Sequence, residues 1–202
     1  MGSDENILAM QQLVFATNNA HKLQEVAAKI KGRIKILSLD DIGCYDDIPE
    51  IGQTMRDNAS IKSHHVHQKY KVNCFADDSG LEVDALDGRP GVHSARYCGK
   101  YGDHDANMNK LLKELGDNAN RKARFRTVIS LIWKGEEHFF EGTVEGIIRR
   151  ERAGNGGFGY DPVFQPDGYD QTFAEMTLEQ KNAISHRALA VDHLVEFLNA
   201  AG

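Results

Sequence analysis

"LVFATNNAHKLQEVAAKIKGRIKIL", residues 13–37, decides the fold class. Residues 13–16 are a short apolar run of the length of a buried strand. Leu23, Val26, Ala27 and Ile30 then recur at i, i+3, i+4 and i+7, which is one face of a helix. Gly32 stands where a helix commonly ends on glycine, and residues 34–37 read as a second strand. The chain therefore opens β-α-β, a pattern that favours a parallel pair with a crossover helix. The junction raises a chemical question. Thr17, Asn18 and Asn19 join strand to helix, and Lys22 falls in the first turn. An Asn there is an ordinary cap. The same turn can also meet an anion with backbone N–H groups, Thr17 and Lys22.

Further along, Thr54 and Asp57 form a capping box, with Asp in place of the usual Glu, and predict a helix to about Lys69. Residues 73–76 read as a strand ending in Asp77-Asp78-Ser79-Gly80, with "LEVDAL" continuing as strand. "DGRPGVHSARY" (87–97) reads as loop. Asn107, Met108, Leu111, Leu112 and Leu115 give a third helix, closed by Gly116. "ARFRTVISLIW" and "EHFFEGTVEGIIRR" are long strands joined by a hairpin at "KGEE". "AGNGGFGYDP" (153–162) is a glycine-rich loop. Thr177 and Gln180 cap one last helix, whose apolar face is Ile184, Val191, Leu194, Val195 and Leu198. No repeat or low-complexity tract interrupts this order. The class is mixed α/β.

With 202 residues, 41% of them hydrophobic, the chain suits one domain, or one domain with two lobes around a cleft. Residues 1–12 read as a leader, partly an expression remnant, and 13–202 as a single domain. The formal net charge of −6 argues against non-specific nucleic-acid or anionic-membrane partners, which need a basic face. No run of about 18 apolar residues is present. Cys44, Cys74 and Cys98 are odd in number and lack C-x-x-C spacing. That points to a reducing, cytoplasmic setting without zinc.

Four stretches carry candidate chemistry. The first is the opening turn. In "FADDSG" two adjacent carboxylates suit a divalent cation between them and phosphates, or else a solvated turn. In "GNGGFGYDP" Phe158 offers a face for a flat ring, unless Phe158 and Tyr160 only pin the loop to the core. In "EQKNAISHR" Lys181, His186 and Arg187 are donors on one helix, or an ordinary polar face. Together they make the inventory of a nucleoside triphosphate site. No Walker A motif and no G-x-S-x-G elbow is present, and no G-x-G-x-x-G follows a strand. "DHD" at 103–105 and "HH" at 64–65 hint at a histidine-aspartate phosphohydrolase, but the long strands oppose a helical scaffold.

Five motifs in order, "ATNNAHK", "PEIGQTMRDNASIK", "FADDSGLEVDALDGRPGVHSARY", "GGFGYDPVF" and "KNAISHR", resemble the inosine triphosphate pyrophosphatase family, whose members act on aberrant purine nucleotides. The resemblance runs from Leu13 to about Leu198. It implies a long central mixed sheet flanked by helices, two lobes with a cleft between them, and a homodimer. It implies Mg²⁺-dependent hydrolysis of ITP, dITP and XTP to the monophosphate and pyrophosphate, which cleanses the nucleotide pool. Thr17, Asn18, Asn19, Ala20, His21 and Lys22 resemble the phosphate-binding turn, and Lys62 the second phosphate lysine. Glu50 is similar to a metal-binding glutamate. Asp78 resembles the catalytic carboxylate that also holds the metal, with Asp77 beside it. Ser79 and Arg96 would touch substrate. Phe158, Gly159, Tyr160 and Asp161 would form the base loop, and Lys181, His186 and Arg187 would complete the site. Asn18 departs from the family glycine; as Asn tolerates φ > 0, the turn can survive. Met55 and Asp57 depart from Phe and Glu. The alternatives are a pyrophosphatase for modified pyrimidine nucleotides and a non-catalytic nucleotide- or RNA-binding module.

Overall fold

The computed structural model describes residues 11–30 and 34–201. Gly32 and the first ten residues of the expected leader lie outside these. The opening β-α-β is built as the apolar pattern predicts: β1 (Gln11–Phe15), α1 (Ala20–Lys29) and β2 (Ile34–Leu37), with β1 and β2 parallel. β1 begins two residues ahead of the expected domain boundary.

The Thr54–Asp57 capping box forms and opens α2 (Met55–Tyr70). Then follow β3 (Cys74–Val83), α3 (His104–Leu115), β4 (Lys122–Trp133), β5 (Glu136–Ile148), β6 (Phe164–Pro166), α4 (Leu178–Ile184) and α5 (His186–Ala201). The six strands make one mixed sheet in the order β2-β1-β3-β4-β5-β6. β1, β2 and β3 run parallel, and β3 to β6 pair antiparallel. Lys134 and Gly135 close the β4–β5 hairpin with φ of 52° and 88°, the paired positive angles of a two-residue turn that matches strand twist.

β3, β4 and β5 are long enough to serve two cores. At one end Phe75, Ile129 and Trp133 pack with Val26 of α1 and Val191 and Leu194 of α5, while Cys74, Ala76 and Ile132 pack with Val66 of α2 on the opposite face. At the other end Leu81, Val83 and Phe125 pack with Met108 and Leu111 of α3 and with Phe164 and Phe173. These are the two lobes, and the cleft lies where the shared strands pass from one to the other.

Two expectations change. The strand at residue 74 does not end at Asp77-Asp78-Ser79-Gly80; it runs unbroken to Val83 because β4 pairs with it along its whole length. The last helix is two helices, broken at Ser185, whose ψ of 154° is extended; Ser185 Oγ accepts the Ala188 N–H and so caps α5. β6 follows the expected glycine loop, in a stretch to which the sequence pattern assigns no element. The three cysteines are free thiols. No helix among the described residues is long and apolar enough to cross a membrane.

Candidate active site

Successive residues of a strand point to opposite faces. On β3 this separates the two carboxylates. Asp77 turns to the face covered by α1 and α5: Lys22 Nζ donates to its Oδ1 at 2.8 Å, and Arg187 Nε and Ser79 Oγ donate to its Oδ2 at 3.0 and 3.1 Å. Asp78 turns to the α2 face, where Asn58 Nδ2 donates at 3.0 Å and the Ser79 N–H at 2.9 Å. A cation gripped between the neighbouring carboxylates is therefore not what the strand builds. Asp77 is instead the anchor of two cations.

The electrostatics follow. Burial pushes the Asp77 carboxyl up, but Lys22, Arg187 and Lys62 outweigh it and hold Asp77 below the usual carboxylate range. Burial also pushes Asp78 up. Lys62 and Lys22 oppose this only in part, Glu50 adds to it, and Asp78 stays above its ordinary value. Lys62 Nζ donates to Glu50 Oε1 at 2.8 Å and to the Asp77 carbonyl at 2.6 Å. Arg96 Nη2 donates to the Glu50 carbonyl at 3.3 Å.

Beside this cluster lies a cavity of about 810 Å³, lined from all five motifs. Thr17, Asn18, Asn19 and Lys22 contribute from the opening turn, Glu50 and Lys62 from around α2, and Asp78, Ser79 and Arg96 from β3 and beyond. Phe158, Gly159, Tyr160 and Asp161 come from the glycine loop, and Lys181, His186 and Arg187 from α4 and α5. Asp77, Ala20 and His21 are not part of the lining: Asp77 is buried beneath it, and Ala20 and His21 are exposed at the start of α1. His21 stacks on Phe158 with ring centroids 5.2 Å apart.

The opening turn is capped from within. Asn19 Oδ1 accepts the N–H groups of His21 and Lys22, and Thr17 Oγ1 accepts that of Asn19. Among the described residues this leaves the Asn18 and Ala20 N–H groups free for an anion. Among the described residues, the non-glycine residues with positive φ are Lys71, Asp87 and Lys134. Asn18 is not one of them, so replacing a glycine there asks for no tolerance of a left-handed backbone. Asp57 spends its carboxylate on the Thr54 N–H and does not reach the site.

The glycine loop divides its two aromatics. Tyr160 is buried, and its hydroxyl donates to the Ser94 carbonyl at 2.9 Å, so it pins the loop. Phe158 stands over the cations, its ring centroid 5.0 Å from Lys181 Nζ and 5.6 Å from Arg187 Cζ. Gly157 has φ of 68°, and a Cβ there would lie 2.0 Å from Asp161 Oδ2. Only glycine lets the loop fold back so that Asp161 accepts the Phe158 N–H. Lys181 donates to Asp161 at 2.6 Å and to Glu25 at 2.7 Å. His186 stacks on Phe125 at 4.6 Å, with its Nδ1 unpartnered. Burial, then Arg187 and Lys181, hold its pKa well below the usual histidine value.

Sequence reasoning missed Glu25 and Asn58. Glu25 is buried and accepts from both Lys181 and Arg187; its signal was a carboxylate beside the apolar stripe of α1. Asn58 holds Asp78 and also accepts the Gly52 N–H at 2.8 Å; one turn of helix before Lys62, it shares that lysine's face.

No group of three or more His, Cys, Asp or Glu among the described residues is arranged to hold a metal. The candidate donors are two carboxylates, Asp78 and Glu50, which repel each other across the cavity wall. Two carboxylates completed by phosphate oxygens and water are what a hard divalent cation such as Mg²⁺ takes, so the residues fit such an ion.

The profile of the Ham1 family matches residues 13–197. The chain belongs to the Ham1 family. Among Ham1 relatives, a dITP/XTP pyrophosphatase of Porphyromonas gingivalis is 55% identical over 193 residues, 95% of this chain and 100% of that protein. One from Flavobacterium johnsoniae is 51% identical over 94% of this chain and 98% of its own length. The solved Ham1 protein of Staphylococcus aureus superposes with a TM-score of 0.86 at 38% identity, covering 95% of this chain and 100% of the other. The Ham1 protein of Coxiella burnetii also gives 0.86, at 36% identity and with the same coverage. The resemblance read from five ordered motifs is borne out.

Proposed function

We propose that this chain hydrolyses dITP, XTP and ITP to the monophosphate and pyrophosphate. The single observation that carries the reading is one cleft with two chemistries: Asp78 between Lys22 and Lys62 at one end, and Phe158 over Lys181 and Arg187 at the other. Names of relatives more than half identical support the substrate class.

The proposed step is in-line attack of water on the α-phosphorus. A bond forms from the water oxygen to phosphorus, the bond from that phosphorus to the bridging oxygen breaks, and pyrophosphate leaves. Asp78, fixed by Asn58 and the Ser79 N–H, accepts the water's proton; its raised affinity for a proton suits a base. Lys22 and Lys62 meet the charge that grows on the leaving oxygens, with the free N–H groups of Asn18 and Ala20. Glu50 and Asp78 would hold Mg²⁺, whose chemistry here is neutralisation of phosphate charge.

Base choice rests on donors. A guanidinium has five N–H groups and no acceptor. Arg187 commits one each to Asp77, Glu25 and Ser79, which leaves two to face a keto oxygen and to reject an amino group. This reading takes the chain from β1 onward as one such domain. The same reading includes a homodimer, drawn from the motif resemblance, and a cytoplasmic site of action, drawn from the free thiols. The acidic charge speaks against nucleic-acid and membrane partners.

The test is pyrophosphate release from ITP, dITP, XTP, ATP and modified pyrimidine triphosphates, with Mg²⁺ and in chelator. Release from the keto purines, absent in chelator and restored by Mg²⁺, is expected. Release chiefly from modified pyrimidine nucleotides would move the substrate class, and binding without release would make the cleft a sensor.

A further inference from the structure

Gly142 stands on β5, a strand that carries none of the residues assigned to substrate. It pairs with Thr127 of β4, and Thr127 pairs with Ser79 of β3, so the three form one row across the sheet. Thr127 Oγ1 lies 2.8 Å from Ser79 Oγ, and Arg187 Nη2 donates to the same Ser79 oxygen at 3.0 Å. The row thus has the Arg187 guanidinium over one end. Over the other end sits the first turn of α5. A Cβ on Gly142 would lie 2.1 Å from the His186 carbonyl oxygen, 2.6 Å from the Ala190 nitrogen and 3.0 Å from Leu189 Cβ. The two closest are backbone atoms, so no side-chain rotation relieves the clash. To restore ordinary contact the turn must rise by about 1 Å. A glycine inside a strand often marks such a close backbone approach.

We propose that Gly142 is a positioning residue for base selection: its missing side chain seats the first turn of α5 on β5 and thereby sets the depth at which Arg187 and His186 enter the cleft. The proposal rests on the reading of Arg187 as the donor that faces the base. Hydrogen bonds depend steeply on distance and angle, and a misplacement of about 1 Å can cost roughly 100-fold. Phe158 sits on a separate loop, and Asp78 and Lys22 on β3 and α1; they meet Arg187 only through Asp77 and the face of the ring, so stacking and phosphate handling depend on this seat less directly. Loss should fall on keto purines, which use the Arg187 donors, and spare ATP, which does not.

The experiment compares kcat/KM for ITP and ATP in Gly142→Ala, Gly146→Ala and Arg187→Ala, each checked for its fold by circular dichroism. Gly142→Ala should lower ITP turnover about 100-fold and the ITP:ATP ratio by at least about 10-fold. Gly146→Ala is the control for a closely approached glycine on the same strand. Its Cβ would strike the Gln165 carbonyl at 2.3 Å, on the β6 side, and it should lower the Tm with the ratio intact. A ratio unchanged by Gly142→Ala but collapsed by Arg187→Ala overturns the positioning role alone. A ratio unchanged by Arg187→Ala overturns the base-facing reading beneath it. If Gly142→Ala does not fold, Ala190→Gly loosens the same turn without adding an atom. A several-fold loss of the ratio there supports the seat, and an unchanged ratio overturns it.

Discussion

At the scale of single residues the site divides by the pleat of β3 into a proton acceptor and a cation anchor. Asp78→Asn keeps the shape and the Ser79 N–H contact but removes the base. Turnover should fall roughly 10²–10⁴-fold while nucleotide binding persists, read by single-turnover pyrophosphate release and by titration. More than about a tenth of wild-type turnover would remove Asp78 from the role. Arg187→Ala and Phe158→Ala separate two kinds of recognition. The first should collapse the ITP:ATP ratio by about 10–100-fold, the worth of one or two hydrogen bonds to a charged donor. The second should weaken both nucleotides alike, since stacking is worth about 1–3 kcal/mol whatever the exocyclic groups. Residue identities were legible where a motif names them. Glu25 was not, because a carboxylate beside a helix's apolar stripe declares no partner until Lys181 and Arg187 fold onto it from more than 150 positions away.

Among elements, the break at Ser185 matters most. A continuous helix would carry Lys181, His186 and Arg187 around one axis. The extended Ser185 instead ends α4 under Glu25 and Asp161 and starts α5 under Asp77. Ser185→Ala removes the oxygen that accepts the Ala188 N–H. It should cost about 0.5–2 kcal/mol of stability, measured by urea unfolding, and should lower ITP turnover more than ATP turnover, because Arg187 follows the cap directly. No loss of stability would mean that the cap is idle. Helices α1, α2 and α3 and the β4–β5 hairpin were legible because their apolar period, caps and turn residues are local. The break was not: "AISHRALA" carries no proline or glycine, and what bends it is the tertiary demand of buried carboxylates on both sides. The continuity of β3 was hidden for the complementary reason. Two aspartates read as a turn until lysine, arginine and asparagine partners cover them.

For the whole molecule, buried charge should shape stability in two pH windows. His186 binds its proton less tightly when folded than the ordinary histidine value of 6.5. Below that value the unfolded chain takes up a proton that the folded chain refuses. Its contribution is therefore full above pH 6.5 and falls with pH by up to about 1.4 kcal/mol per unit. His186→Gln should flatten the stability profile between pH 6.5 and 5, and an unchanged slope would contradict this. Asp77 and Glu25 hold folded values below their ordinary ones. Their contribution is full above the unfolded carboxylate values and is lost at lower pH, as each folded carboxylate is protonated. The long shared strands also predict cooperative behaviour. Trp133, the single tryptophan, reports on the lobe of α1 and α5. Its fluorescence should change at the same urea concentration as far-UV circular dichroism, and a separate earlier transition would mean that the lobes unfold independently.

The pleat that parts Asp77 from Asp78 also imposes a rule of parity on the gene. Deleting or inserting one codon on β3 ahead of these residues would exchange their faces, handing the anchor to Asn58 and the base to Lys22 and Arg187. A two-codon change would restore the faces but slide both carboxylates by about 6.6 Å past their partners. Neither kind of change leaves a working cleft. Across relatives this stretch is expected to drift by substitution while keeping its length, and the surplus codons of evolution should collect in the loops instead.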